Sequence, residues 1–173
     1  DTKVALVDGR SISFLELIKE QEEGKINYCY TISKEGRITV SKISNVRKTK
    51  NNTKVVKIVL DNKEEIVCTP DHKFMLRDGS YKQARDLTTK DSLMPLYRKL
   101  SEINGRITIE GYEKDAVKHY NHKIASIEYL KEKIDVYDLE VPHTHNFALS
   151  SGIFVHNSAK QGRDRHAQAI LPL

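Results

Sequence analysis

Many short apolar runs, turn residues recurring between them and a single early helix signature predict an all-β protein with one or two short helices. Strands this short and this closely spaced hide their edges best by curling into one compact, closed body. At 173 residues the chain can bury one sizeable core or two small ones.

Residues 2–7 read as a first strand, stopped by the turn Asp8-Gly9-Arg10. Ser13 has the position of a helix N-cap, and Glu16 three residues on completes a capping box. Phe14, Leu15, Leu17 and Ile18 form the apolar stripe of that helix, and Gly24 closes it. Residues 28–32, 37–46 and 55–61 are predicted strands, with turns at Lys34-Glu35-Gly36 and Asn51-Asn52. Residues 66–69 form another, ended by Pro70, which has no N–H to give a ladder. A strand at 74–76, the turn Arg77-Asp78-Gly79-Ser80, a short helical stretch at 83–87 and a strand at 92–95 follow. Residues 98–121 are polar and read as a connector carrying one hairpin strand at 106–109. Strands resume at 123–129, 136–141, 147–149 and 153–155, the last two joined by Ser150-Ser151-Gly152. Past Ser158 no core pattern remains, and the segment reads as an appendage.

Composition narrows the function classes. The formal charge is +5, of which the segment from Ser158 onward supplies +2, and no five like charges run together. That describes a solvated surface better than a nucleic-acid groove. Cys29 and Cys68 lie far apart without metal spacing and read as reduced, buried thiols of a cytoplasmic protein. No apolar run reaches membrane-spanning length, and the first residues lack the layout of a signal peptide.

Three stretches carry chemistry. In His156-Asn157-Ser158 the Asn157 amide can attack its own main-chain carbonyl, closing a succinimide and cutting the bond to Ser158. That reaction needs a proton for the leaving amine and a donor for the oxygen that gains charge. His156 directly before it and His145 eleven residues upstream of His156 are candidate helpers, and the Ser158 hydroxyl can carry an acyl group. In Thr69-Pro70-Asp71-His72 a hydroxyl and an imidazole share one turn, so both can address a single peptide bond. Asp138 lies on a strand with Tyr137 and Leu139 facing the other way. Taken singly, each stretch is also what an ordinary polar turn or ladder partner looks like.

In order and spacing, Thr69-x-x-His72, then Val136-Tyr137-Asp138-Leu139-x-Val141 leading into His145-Asn146-Phe147, then His156-Asn157-Ser158, resemble the splicing motifs of inteins. The resemblance covers essentially all of residues 1–157. The segment 158–173 resembles gyrase B just past its acidic catalytic motif, which would make it the start of the downstream host sequence, the C-extein. The family implies the Hint fold, a horseshoe-shaped, pseudo-twofold β structure with both chain ends in a central cleft. It also implies a single-turnover, autocatalytic excision with ligation of the flanks, needing no cofactor. Carried over, Thr69 and His72 activate the upstream bond, and Asp138 assists acyl transfer to Ser158. His145 and His156 assist cyclisation of Asn157.

Inteins of this kind begin Cys-x-x-Gly-Asp-Thr, and this chain begins Asp1-Thr2. The expected partner is therefore an N-terminal piece carrying Cys-x-x-Gly behind upstream gyrase B sequence, as in a split or truncated intein. The connector at 98–121 is too short for a homing endonuclease, so residues 1–157 read as a mini-intein body.

Three rivals differ in class. His119-x-x-His122, His143-x-His145 and His156 could supply imidazoles to zinc, but no paired cysteines accompany them, and no dedicated metal site is expected. A Hedgehog-type autoprocessing domain shares the fold and a Thr-x-x-His, yet needs no terminal His-Asn. A non-catalytic gyrase-associated DNA-binding module would lean on Arg47, Lys48 and Lys50 and lose affinity steeply with salt.

Overall fold

In the computed structural model the described residues are 2–96, 99–103, 106–110 and 122–157. Strand β1 (Lys3–Ala5) pairs antiparallel with β2 (Ser11–Ser13), and Gly9 takes the positive φ of +97° that the intervening turn demands. Helix α1 (Phe14–Glu22) follows at once. Its cap is the expected one: Ser13 Oγ accepts the Glu16 N–H at 3.2 Å, and the Ser13 hydroxyl donates to Glu16 Oε1 at 3.0 Å. Leu17 is buried, Phe14 and Ile18 pack against the core, and Leu15 is exposed, so the stripe is narrower than expected. Gly24 ends the helix at φ +85°.

β3 (Tyr28–Ile32) and β4 (Ile38–Lys42) make a hairpin through the Lys34-Glu35-Gly36 turn. The predicted turn at Asn51-Asn52 is instead strand. β5 (Ser44–Leu60) runs straight through it, paired along its length with β12 (His122–Glu140). Asn52 adopts φ +46° and gives its N–H to Asp135 Oδ1 at 2.8 Å, and the ladder shifts register nearby, between Ile134 and Val136. A bulge thus absorbs the conformation that would otherwise reverse the chain. β6 (Glu65–Cys68) lies on the other side of β5, and β9 (Ser92–Leu93) on the start of β12.

A second four-stranded sheet has the order β13 (Asn146–Ala148), β14 (Phe154–His156), β7 (Lys73–Met75), β8 (Tyr81–Gln83). The expected helical stretch is a single 3-10 turn, Ala84–Asp86. In the connector, β10 (Lys99–Ile103) and β11 (Arg106–Glu110) pair as a hairpin. One buried cluster includes Val56 and Ile58 of β5, Leu139 of β12, Phe74 of β7, Phe147 of β13 and Val155 of β14. A buried phenylalanine of this kind is worth about 3–5 kcal/mol against alanine. The strands that carry the three motifs are therefore bolted to one core, which fixes the motifs relative to one another. Both cysteines are buried and unbridged.

Candidate active site

Pro70 ends the β6 ladder, and the chain turns so that the His72 N–H donates to the Thr69 carbonyl at 3.1 Å. This returns the chain into β7, whose Phe74 ring lies edge-on to the half-buried His72 imidazole at 5.6 Å. Asp71 points outward, with Lys50 Nζ at 3.8 Å. Burial opposes its ionisation, but the Thr69 hydroxyl, Lys50 and Arg85 hold its carboxyl below the usual range. Thr2 lies along the same strand: its hydroxyl is 3.3 Å from the Val67 N–H and 3.5 Å from the Val67 carbonyl.

The other half of the site comes from the β13–β14 hairpin. Val141 to His145 folds back on itself, the His145 N–H reaching the Val141 carbonyl at 3.2 Å. His145 sits at φ +56°, an unusual conformation for a residue with a Cβ. Its Nδ1 is 3.1 Å from the same carbonyl, which can only accept, so Nδ1 carries the hydrogen and Nε2 is left for other work. The His145 carbonyl in turn accepts the Asn157 N–H at 2.8 Å. Asn157 is fully buried at the end of β14 and forms one wall of a cleft of about 380 Å³, shared with Ser44, Glu140, Pro142, His143 and His145.

Asp138 is buried, its Oδ1 accepting the Leu139 N–H at 2.8 Å. Leu139 is buried as well, because the β12 ladder shifts register between Asp138 and Glu140 and breaks the expected alternation. Burial lowers the pKa of His72, while the charges of Asp138 and Asp71 oppose that shift. Burial, then Lys73, His72 and His145, push His156 down to about 4. His156 thus feels both other imidazoles, and His72 feels the charge of Asp138. Of the expected site residues, His145 holds the Asn157 N–H, His156 precedes Asn157 in the chain and feels His72, His72 feels Asp138, and Thr69 shares the His72 turn; Ser158 lies outside the described residues.

Sequence reasoning passed over Tyr81, whose ring stands edge-on to His156 at 4.9 Å. It named Asn146 only as part of a motif, yet that side chain is the hub of a buried polar cluster. No spacing signal marks either one. Among the described residues no three His, Cys, Asp or Glu side chains gather as metal ligands would, and His119 lies outside them. Of the basic cluster, Lys48 pairs with Asp135 at 3.2 Å and Arg47 donates to the Asn45 carbonyl at 3.0 Å. No described helix is long and apolar enough to cross a membrane.

The family described as intein splicing domain matches residues 4–157. The chain belongs to that family. Its structure is similar to the DnaB intein of Synechocystis sp. PCC 6803, with a TM-score of 0.65 and 24% identity over 91% of this chain and 95% of that one. The Ssp DnaB mini-intein variant M86 gives 0.68 at 24% identity, over 91% and 90%. The Hint fold expected from the motifs is the fold observed. Among curated proteins, the gyrase B protein of Synechocystis sp. is 64% identical over 114 residues, 65% of this chain and 11% of that protein. The replication factor C small subunit of Methanocaldococcus jannaschii is 33% identical over 94 residues, 54% of this chain and 5% of that protein. The chain thus spans about a tenth or less of these two relatives. Protein splicing is the activity of the family.

The histidines of this intein domain make its stability depend on pH. Burial depresses His72, His122 and His156 below the ordinary histidine value, so each binds a proton more readily unfolded than folded. Between pH 6.5 and about 4 the unfolded chain holds protons that folded His156 lacks, and stability falls as pH falls through that window. Denaturant midpoints should therefore drop steadily across the window, and His156→Gln should flatten part of the slope. A midpoint that holds level in the unaltered chain would contradict the burial of these imidazoles.

Proposed function

We propose that this intein domain splices a host of the gyrase B type, and that its first nucleophile is supplied by a Cys-x-x-Gly segment carrying the upstream host sequence. One observation carries the reading: Asn157 is fully buried, with its N–H held by the His145 carbonyl and His156 beside it in the chain. In the cyclisation, Asn157 Nδ2 attacks the Asn157 carbonyl carbon and the C–N bond to Ser158 breaks. The Ser158 nitrogen leaves as an amine with the proton that Nδ2 loses. His156, neutral near pH 7, takes that proton from Nδ2 and passes it to the departing Ser158 nitrogen, while His145 Nε2, which carries no hydrogen, serves as an acceptor for the N–H of the attacking amide.

The earlier steps belong to the other half of the site. His72 donates to the nitrogen of the upstream scissile bond while the Thr69 hydroxyl steadies its carbonyl. Asp138 receives the proton of the Ser158 hydroxyl as that oxygen forms an ester with the acyl carbon and the thioester C–S bond breaks, the sulfur of the Cys-x-x-Gly segment leaving as thiolate. Support comes from the placement of β1, which bridges to Leu149 at Val4 and lies beside Val67 at Thr2. β1 thus runs beside both β6, which leads into the Thr69–His72 turn, and the β13–β14 hairpin, which carries His156. The 64% identity to a gyrase B segment supports the host. Two buried thiols without a bridge fit a reducing cytoplasm.

The test is ligation in trans. Folded chain is incubated with overlapping peptides that end in upstream host residues followed by Cys-x-x-Gly. A correctly seated peptide turns a bimolecular encounter into an effectively intramolecular one. Intact-mass spectrometry should find the upstream residues joined to Ser158 and lose that product with Cys→Ala in the peptide. Release of residues 158–173 with no ligation by any peptide would refute the proposed partner.

A further inference from the structure

Asn146 stands opposite His156 in the β13–β14 register and directly follows His145. It is almost completely buried, and its amide uses every hydrogen-bonding position it has. Oδ1 accepts the Thr31 hydroxyl at 2.7 Å and the Ile32 N–H at 2.9 Å. Nδ2 donates to the Ile32 carbonyl at 3.0 Å and the Thr144 carbonyl at 3.2 Å. The side chain thus acts as a rung between β13 and β3, and it also ties down the residue just before His145. The Thr31 and Thr144 hydroxyls meet as well, closing the ring of contacts.

Tyr81 approaches from β8, on the far side of β7 from β14. Its ring lies edge-on to His156, with centroids 4.9 Å apart and planes at 82°. The phenol lies beside the Asn146 amide. The charged or titratable groups that also act on His156 are Lys73, His72 and His145. Tyr81 is neutral among them, so its contribution to His156 is cover and orientation.

We propose that Tyr81 and Asn146 form a bracket holding His156 and His145 around Asn157, which makes both of them positioning residues for Asn157 cyclisation. Tyr81 fixes one imidazole by packing on it. Asn146 fixes the other by locking the loop at Thr144 to β3. This rests on the reading of Asn157 as the cyclising residue. Misplacing a catalytic group by about 1 Å can cost roughly a hundredfold in rate, so loosening either arm is expected to show in kinetics before it shows in folding.

The experiment uses the full chain and two arms. Tyr81→Leu should slow release of residues 158–173 roughly tenfold or more. It should also raise the titration midpoint of His156, followed by NMR of the imidazole carbons, toward the ordinary histidine value as the ring loses its cover. Tyr81→Phe, which keeps the ring, should recover most of the lost rate and return the midpoint. Thr31→Val keeps the shape but removes the hydroxyl shared by Asn146 and Thr144. It should slow release several-fold and alter the His145 signals while leaving the His156 midpoint in place. Either arm would be overturned by a chain that melts near the parent temperature, releases peptide at the parent rate and leaves its histidine unmoved. Release that persisted in Asn157→Ala would sink the cyclisation reading, and the histidine signals would still decide whether the bracket exists.

Discussion

Asn157→Ala is expected to stop release of the 158–173 peptide completely, with intact mass constant over days under conditions where the parent chain loses it. Alanine has the backbone to finish β14 and the N–H to meet the His145 carbonyl, so the site survives. What it lacks is the nucleophile. No neighbouring group replaces it, because the succinimide ring must close within the residue whose carbonyl is attacked. His156→Ala and His145→Ala keep the nucleophile and lose a proton carrier, a change worth roughly a hundredfold or more. The order of effects is therefore total loss for Asn157 and graded loss for the two histidines. Release at an unchanged rate in Asn157→Ala would mean that hydrolysis or another side chain cuts the bond. The pH profile adds a sign: the rate should hold from neutrality down to mildly acidic pH. It should then fall as pH drops through about 4, where His156 takes up a proton.

Local signals carried most of what could be read before the structure. The Ser13 cap, the Gly36 hairpin and the stop at Pro70 each follow from one residue's own geometry, and each stands where expected. The family was legible because the motifs' order and spacing along the chain are specific to it. What stayed hidden depends on partners far away in sequence. Asn51-Asn52 looks like a turn until β12 lies alongside and Asp135 captures the Asn52 N–H. Asp138 and Leu139 look like opposite faces until a register shift turns both inward. Leu15 completes an apolar stripe on paper, but α1 presents only Phe14, Leu17 and Ile18 to the core. Tyr81 and Asn146 are ordinary residues on their own strands; only the sheet order β13-β14-β7-β8 brings Tyr81 to His156, and only the packing of β3 gives the Asn146 amide its partners.

His72→Ala should separate the two halves of the site. In the proposed reaction its substrate bond belongs to the Cys-x-x-Gly segment, so thioester formation with that segment is expected to fall by a factor of about 100 to 10,000, the usual worth of a positioned acid or base. Asn157 cyclisation should change only two- or threefold, because the groups that hold Asn157 come from the β13–β14 hairpin. A small effect is still expected. His72 is one of the cations-in-waiting that depress His156, so its removal should let His156 protonate at slightly higher pH. The acid limb of the cleavage profile should move up accordingly, whereas a simple loss of activity would lower the plateau and leave the limb in place. The measurement is paired: hydroxylamine- or thiol-induced cleavage of a seated Cys peptide reports the first step, and release of residues 158–173 reports the last. The Phe74 contact makes one control necessary, since losing the ring also loosens packing at the head of β7. Thermal unfolding of the variant supplies it. If both reactions fall together in a chain that melts much earlier than the parent, His72 serves the fold. If the first falls alone, it serves the upstream bond.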